Sequence, residues 1–102
     1  MEFTRNNLTF IIVSFKSRKV IFNCLNSLPE DFPKIIIENS SDEKLKKEIE
    51  QNYDHTKVIL SNNVGMGAGN NIGILNSKTD FVYILNPDVK FNADTIKSLN
   101  QS

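Results

Sequence analysis

The chain has 102 residues, and its 12 lysines and arginines balance its 12 aspartates and glutamates. That length holds one domain, able to bury roughly 60–65% of its unfolded surface in a modest core. With 39% hydrophobic and 24% charged residues the chain is not disordered, and its zero net charge excludes a general nucleic-acid or anionic-membrane binder, though not a local phosphate site.

The elements alternate along the chain. Leu8 to Val13 is a short, nearly continuous apolar run, as expected of a strand covered on both faces. Ser17 is placed to cap a helix running to Leu28, with Val20, Ile21, Cys24, Leu25 and Leu28 as its apolar stripe. Pro29 and Pro33 bracket a turn, and Lys34 to Ile37 reads as a second strand. Asp42 is placed to cap a second helix to Tyr53, with Leu45, Ile49 and Tyr53 inward and a charged, solvated opposite face. Lys57 to Leu60 is a third strand. The Gly/Asn-rich stretch Asn62–Gly73 turns helical in its second half, with Ala68, Ile72 and Leu75 predicted on one face. Asp80 to Leu85 is a fourth strand, and Asn92 caps a last helix carrying Asp94, Ile96 and Leu99. Such alternation predicts right-handed crossovers and a three-layer α/β domain with a mainly parallel, Rossmann-like sheet, in strand order 3-2-1-4.

A single cysteine excludes an internal disulfide, and with a single histidine it excludes a Cys/His zinc cage. No apolar run reaches the ~18–20 residues of a membrane span, and the polar start Met1–Asn7 is no signal peptide, so a cytoplasmic protein is expected. Cys24 reads as core and His55 as surface.

Ligands of open α/β sheets bind beyond the carboxyl ends of the strands. Behind the predicted strands come Ser14, Phe15 and Lys16; then Glu38 to Ser41; then Asn62 to Gly65; then Asn86, Pro87 and Asp88. Polar loops are ordinary, but an aromatic ring, two carboxylates and a glycine cluster on one edge point to a binding crevice. Gly65, Gly67 and Gly69 do not complete the dinucleotide pattern G-x-G-x-x-G, because residue 70 is asparagine, and they follow the third strand. Two uses remain for them: close approach of a ligand, or close packing of the helix on the sheet. In Asn86-Pro87-Asp88 the proline stiffens the turn that projects Asp88. Asp88 then either ligates a divalent cation alongside phosphate oxygens or accepts hydrogen bonds from turn amides.

Four segments, in order, carry a family resemblance: IIVSFKS around Phe15, IIIENSSDE ending at Glu43, NNVGMGAGNNIGI from Asn62 to Ile74, and YILNPDV from Tyr83 to Val89. The chain resembles the N-terminal half of family-2 glycosyltransferases, which have the GT-A fold, over about residues 8 to 100. The resemblance implies a nucleotide-diphosphate sugar donor, a divalent metal (Mn²⁺ or Mg²⁺) and inverting transfer to an acceptor hydroxyl. It implies that Ser14 and Phe15 hold the nucleobase and that Glu38 contacts base or ribose. Asn63, Gly65 and Asn71 would line the nucleotide pocket, and Asn86 and Asp88 occupy the D-x-D positions, with Asp88 as the metal ligand. Glu38 stands for the more usual Asp, and Asn86 for the first Asp of D-x-D, a version similar to rhamnosyl- and galactofuranosyltransferase-like members.

Such enzymes continue well beyond D-x-D, into a half that supplies the acceptor site and the catalytic base. Residues 1–102 are therefore expected to be one nucleotide-sugar-binding domain, truncated relative to a full transferase, with no catalytic base of its own. Its implied partners are the donor and a glycan or lipid-linked acceptor, with the full-length protein peripheral at the inner face of the membrane. The alternative is a non-catalytic nucleotide-binding or self-associating module, forming homo-oligomers through an uncovered sheet edge.

Overall fold

The computed structural model describes residues 2–62 and 64–89. Its elements are β1 (Leu8–Ser14), α1 (Arg18–Ser27), β2 (Lys34–Glu38), α2 (Glu43–Asn52), β3 (Thr56–Leu60), α3 (Met66–Asn76) and β4 (Phe81–Leu85). All pairings are parallel, in the order β3-β2-β1-β4, as the alternation predicts. The predicted final helix at Asn92, with Asp94, Ile96 and Leu99, lies outside the described residues.

The period-2 alternation of the strands builds two unequal cores. On one face Leu8, Phe10 and Ile12 of β1 and Ile36 of β2 meet Ile21, Cys24 and Leu25 of α1 and Leu45 and Ile49 of α2. On the other face Val13, Ile35 and Ile37 pack with Ile59 and with Ile72 of α3. Right-handed crossovers require this division, because the chain moves one way from β1 to β3 and then returns past β1 to β4. β1 is buried along its whole length, as its unbroken apolar run predicts. β4 lies at an edge and is not covered on both faces: Phe81 and Ile84 are exposed.

The helix starts differ in their chemistry. Asp42 caps α2, its carboxylate accepting from the Leu45 N–H at 3.0 Å. Ser17 occupies the N-cap of α1, but its side chain does not cap; its hydroxyl donates to the Phe15 carbonyl at 3.0 Å. α3 departs most from its sequence pattern. Ala68 and Leu75 point to solvent, and the buried residues are Gly69 and Gly73. A Cβ on Gly73 would stand 2.5 Å from Cγ2 of Ile11, and one on Gly69 would stand 2.9 Å from Cγ1 of Val13. The helix backbone itself rests on β1, so hydrophobic periodicity mistook its outer face for its inner one.

At the amino ends of the strands the buried Lys34 donates to the carbonyls of Phe32 at 2.9 Å and Glu30 at 3.1 Å. Burial lowers its pKa, against the opposing pull of Asp31, Glu30 and Asp54. Burial, reinforced by the charge of Asp88, pushes the Cys24 thiol up from 9.0 to about 11. The native state then holds a proton that the unfolded chain releases. This contribution is complete below pH 9.0 and is lost as pH rises towards about 11. Lys34 works in the opposite sense, adding stability as pH rises towards 10.5. Cys24→Ala is therefore expected to remove a decline of up to about 2 kcal/mol from the alkaline stability profile, read by urea unfolding across that range.

Candidate functional site

The carboxyl ends of the strands gather round a cavity of about 340 Å³ at the edge where strand order reverses beside β1. Every strand end reaches its wall: Val13 and Phe15 from β1, Asn39 after β2, Val64 and Met66 after β3, and Pro87 after β4. Larger cavities exist, one of about 410 Å³ with Glu30, Lys34 and Asp54 in its wall, but it sits at the amino ends of the strands and holds none of the predicted site residues.

Beyond β1, the Phe15 ring is 47% exposed, with the Lys16 ammonium 5.4 Å from its centroid. Lys16 adopts φ 50°, and Ser41 in the next loop φ 57°, so both loops at this edge carry a left-handed, non-glycine residue. Ser14 is wholly buried and its hydroxyl has no hydrogen-bond partner. A buried polar group left so is destabilising by about 1–3 kcal/mol and calls for an explanation.

Glu38, opposite Ser14 in the parallel register, is also wholly buried. Its carboxylate accepts from the Ser40 hydroxyl at 2.7 Å, the Asp42 N–H at 2.7 Å and the Ser40 N–H at 3.1 Å. Three donors from its own loop hold it, which shapes the turn into α2 and leaves it one unused acceptor position of roughly four.

Asn39, which sequence reasoning passed over, is 4% exposed and reaches across to Val64. Its only signal in the sequence is an amide directly behind a buried strand. The β2 and β3 ends are further joined by Ser61 N–H to the Glu38 carbonyl at 2.9 Å and by an isolated bridge between Ser40 and Asn62. Asn63 lies outside the described residues.

Gly65 forms the N-cap of α3, and a Cβ on Gly65 or Gly67 would meet no protein atom within 4 Å. Neither has a positive φ. The two uses open for the glycines are thus divided: Gly69 and Gly73 serve packing, while Gly65 and Gly67 leave the start of α3 bare. Asn71 is exposed on the same helix, outside the cavity wall, and the Asn70 Oδ1 is buried without a partner.

After β4, a Val89 N–H to Asn86 carbonyl bond of 3.1 Å closes the Asn-Pro-Asp turn. Asn86 and Asp88 are both exposed. Pro87 faces the crevice, whereas Asp88 faces a neighbouring cavity with Val20, Asn23 and Ser27 on the α1 side. The structure therefore brings Phe15, Asn39 and Val64 together, places Ser14 and Glu38 beneath them, and sets Asp88 one residue past the crevice wall. Among the described residues there is no cluster of three or more His, Cys, Asp or Glu side chains. A lone exposed carboxylate fits Mg²⁺ or Mn²⁺ only as one ligand beside phosphate oxygens and water.

The family model for glycosyl transferase family 2 matches residues 9–101. The chain belongs to glycosyl transferase family 2. Among curated proteins it is 30% identical over 98 residues to the low-salt glycan biosynthesis hexosyltransferase Agl10 of Haloferax volcanii, covering 92% of this chain and 32% of that protein. Among solved structures, residues 1–349 of TarS from S. aureus superpose with a TM-score of 0.77 at 23% identity, covering 91% of this chain and 31% of TarS 1–349. A second TarS structure gives 0.73 at 20% identity, covering 91% of this chain and 18% of its own. The TarS likeness establishes the fold. The chain spans about a third of the length of the hexosyltransferase. No described helix is long and apolar enough to cross a membrane.

Proposed function

We propose that the carboxyl-edge crevice of this family-2 domain binds the nucleotide diphosphate of a sugar donor, for transfer of a hexose to an acceptor hydroxyl in glycan synthesis. The observation that carries this reading is the crevice itself. An exposed aromatic ring faces a helix start whose two glycines no protein atom requires. Phe15 supplies a face on which a nucleobase stacks. Ser14 holds an unspent hydroxyl beneath it, and Glu38 offers its remaining acceptor position to base or ribose. Gly65, with Asn63 and Asn71, lets phosphates approach the N–H groups at the start of α3, where the helix dipole favours negative charge. Asn86 and Asp88 complete the phosphate end, with Asp88 as ligand to a divalent cation. Such a cation, when bound, neutralises the diphosphate as it becomes a leaving group. The acceptor, a glycan or lipid-linked hydroxyl, and the carboxylate base that deprotonates it belong to parts of a transferase beyond these residues. A cytoplasmic site, peripheral to the membrane, suits a nucleotide-sugar donor.

A second reading is favoured by the open β4 edge. Phe81 and Ile84 there, with Ile74 and Leu75 on α3, are exposed apolar groups of the kind that self-association covers. Sedimentation at several concentrations separates the two readings, because oligomers that bind no nucleotide support only the second.

The decisive experiment is calorimetric titration of the chain with UDP, dTDP and GDP, each with and without Mn²⁺. Metal-dependent binding of at least one is expected, and folded protein that binds none sinks the reading. Gly67→Ala sharpens the test. It should stabilise the free protein by about 0.5–1 kcal/mol, since alanine is the better helix residue and meets no neighbour. The same methyl group should weaken nucleotide binding by roughly tenfold, about 1.4 kcal/mol.

A further inference from the structure

We propose that Asn39 is a positioning residue whose side-chain amide holds the glycine segment in its ligand-receiving shape before any nucleotide arrives. The binding consequence rests on the nucleotide reading above; the clamp itself does not. Oδ1 of Asn39 accepts from the Val64 N–H at 2.7 Å, and Nδ2 donates to the Val64 carbonyl. One side chain thus takes both backbone groups of one residue, as a neighbouring strand would. No strand is available for that task, because β3 ends at Leu60 and the bridge between Ser40 and Asn62 is the last backbone pairing before Val64.

The geometry makes Asn39 a junction. Its own N–H donates to the Ser14 carbonyl at 2.7 Å, so it extends the β1–β2 ladder by one bond. One residue therefore ties the end of β1, which presents Phe15, to the segment that enters α3 at Gly65. Phe15, Asn39 and Val64 line the same cavity. At 4% exposure the amide is shielded from competing water, which makes the pair of bonds count.

The residue type is specific to this role. An amide carries a donor and an acceptor side by side and so matches a peptide's N–H and C=O; aspartate has only acceptors and would turn an oxygen towards the Val64 carbonyl. Gly65 and Gly67, by contrast, meet no side chain that would hold them in place. Without the clamp, a glycine-rich segment samples many backbone states, and the nucleotide would have to select one of them.

The test compares the parent chain with Asn39→Ala and Asn39→Asp by amide hydrogen exchange and by titration with UDP, dTDP and GDP in Mn²⁺. In both variants the Val64 amide should exchange about tenfold faster or more, with the Ile12 and Ile36 amides unchanged. Nucleotide affinity should fall about tenfold, with native-like circular dichroism retained. Equal exchange at Val64 in parent and variants overturns the clamp. A loosened Val64 with unchanged nucleotide affinity overturns its positioning role. If the parent binds none of the nucleotides, the nucleotide reading fails and Val64 exchange still decides the clamp. If Asn39→Ala does not fold, the near-isosteric Asn39→Asp carries the same measurements.

Discussion

Gly73→Ala is expected to destabilise the domain by about 2 kcal/mol, although alanine is the best helix former and glycine among the worst. The reason is a single contact. The added Cβ would stand 2.5 Å from Cγ2 of Ile11, with Cδ1 at 3.2 Å and Cγ1 at 3.4 Å. Ile11 is fully buried in β1, flanked by Ile35 of β2 and Ile84 of β4 in register. Its branched carbon is stiff about χ1 and cannot swing its methyl aside. The helix must rise off the sheet or the strand must bend, and overpacking of this kind costs typically 1–3 kcal/mol and occasionally more. The propensity gain of about 1 kcal/mol offsets only part of it. In a domain of this size the net change lowers Tm by roughly 8–16 °C, which a calorimetric scan resolves. Ile11→Ala should be destabilising by about 2–5 kcal/mol alone, yet less than additively with Gly73→Ala, because it removes the clashing atoms. A Gly73→Ala protein as stable as its parent would show that α3 does not pack on β1 as described.

That contact also explains where sequence reading worked and where it did not. β1, β2 and β3 were legible because Leu8–Val13, Lys34–Ile37 and Lys57–Leu60 are short apolar runs between turn residues, each displaced by no more than one residue from the observed bounds at either end. The α2 cap was legible because Asp42 satisfies a local rule. The inner face of α3 was not, since hydrophobic periodicity counts side chains and this helix buries the absence of them. The candidate site divides in the same way. The convergence of strand ends follows from topology, so Phe15, Asn86 and the glycine segment were placed on the right edge in advance. The surroundings of Glu38 depend on where two serine groups and one aspartate N–H turn, and no spacing rule encodes that. Asn39 was invisible for a related reason: its partner Val64 lies 25 residues away in the chain.

Asp88→Asn is expected to abolish the metal-dependent part of nucleotide binding and leave the fold intact. Asp88 is exposed in a strand-end turn, and no described hydrogen bond or ion pair depends on its carboxylate. Its removal should therefore change stability by less than about 0.5 kcal/mol, as surface substitutions do. Binding is a different matter. With asparagine at position 86, Asp88 is the single carboxylate of the turn, so a divalent cation there must take most of its remaining ligands from phosphate and water. Metal and diphosphate then bind as partners, each raising the affinity of the other by the same factor. The parent chain should show weak affinity for Mn²⁺ alone and an Mn²⁺-enhanced affinity for its nucleotide. Asp88→Asn should lose the enhancement, roughly 10–100-fold, and retain the metal-free affinity. Asn86→Asp should act the other way. A second carboxylate in the turn raises affinity for Mn²⁺ without nucleotide, because the site no longer relies on phosphate to complete it. Calorimetric titrations of Mn²⁺ and nucleotide, each in the absence and presence of the other, yield all four affinities for the parent and both variants. Enhancement that persists in Asp88→Asn would remove Asp88 from the metal site.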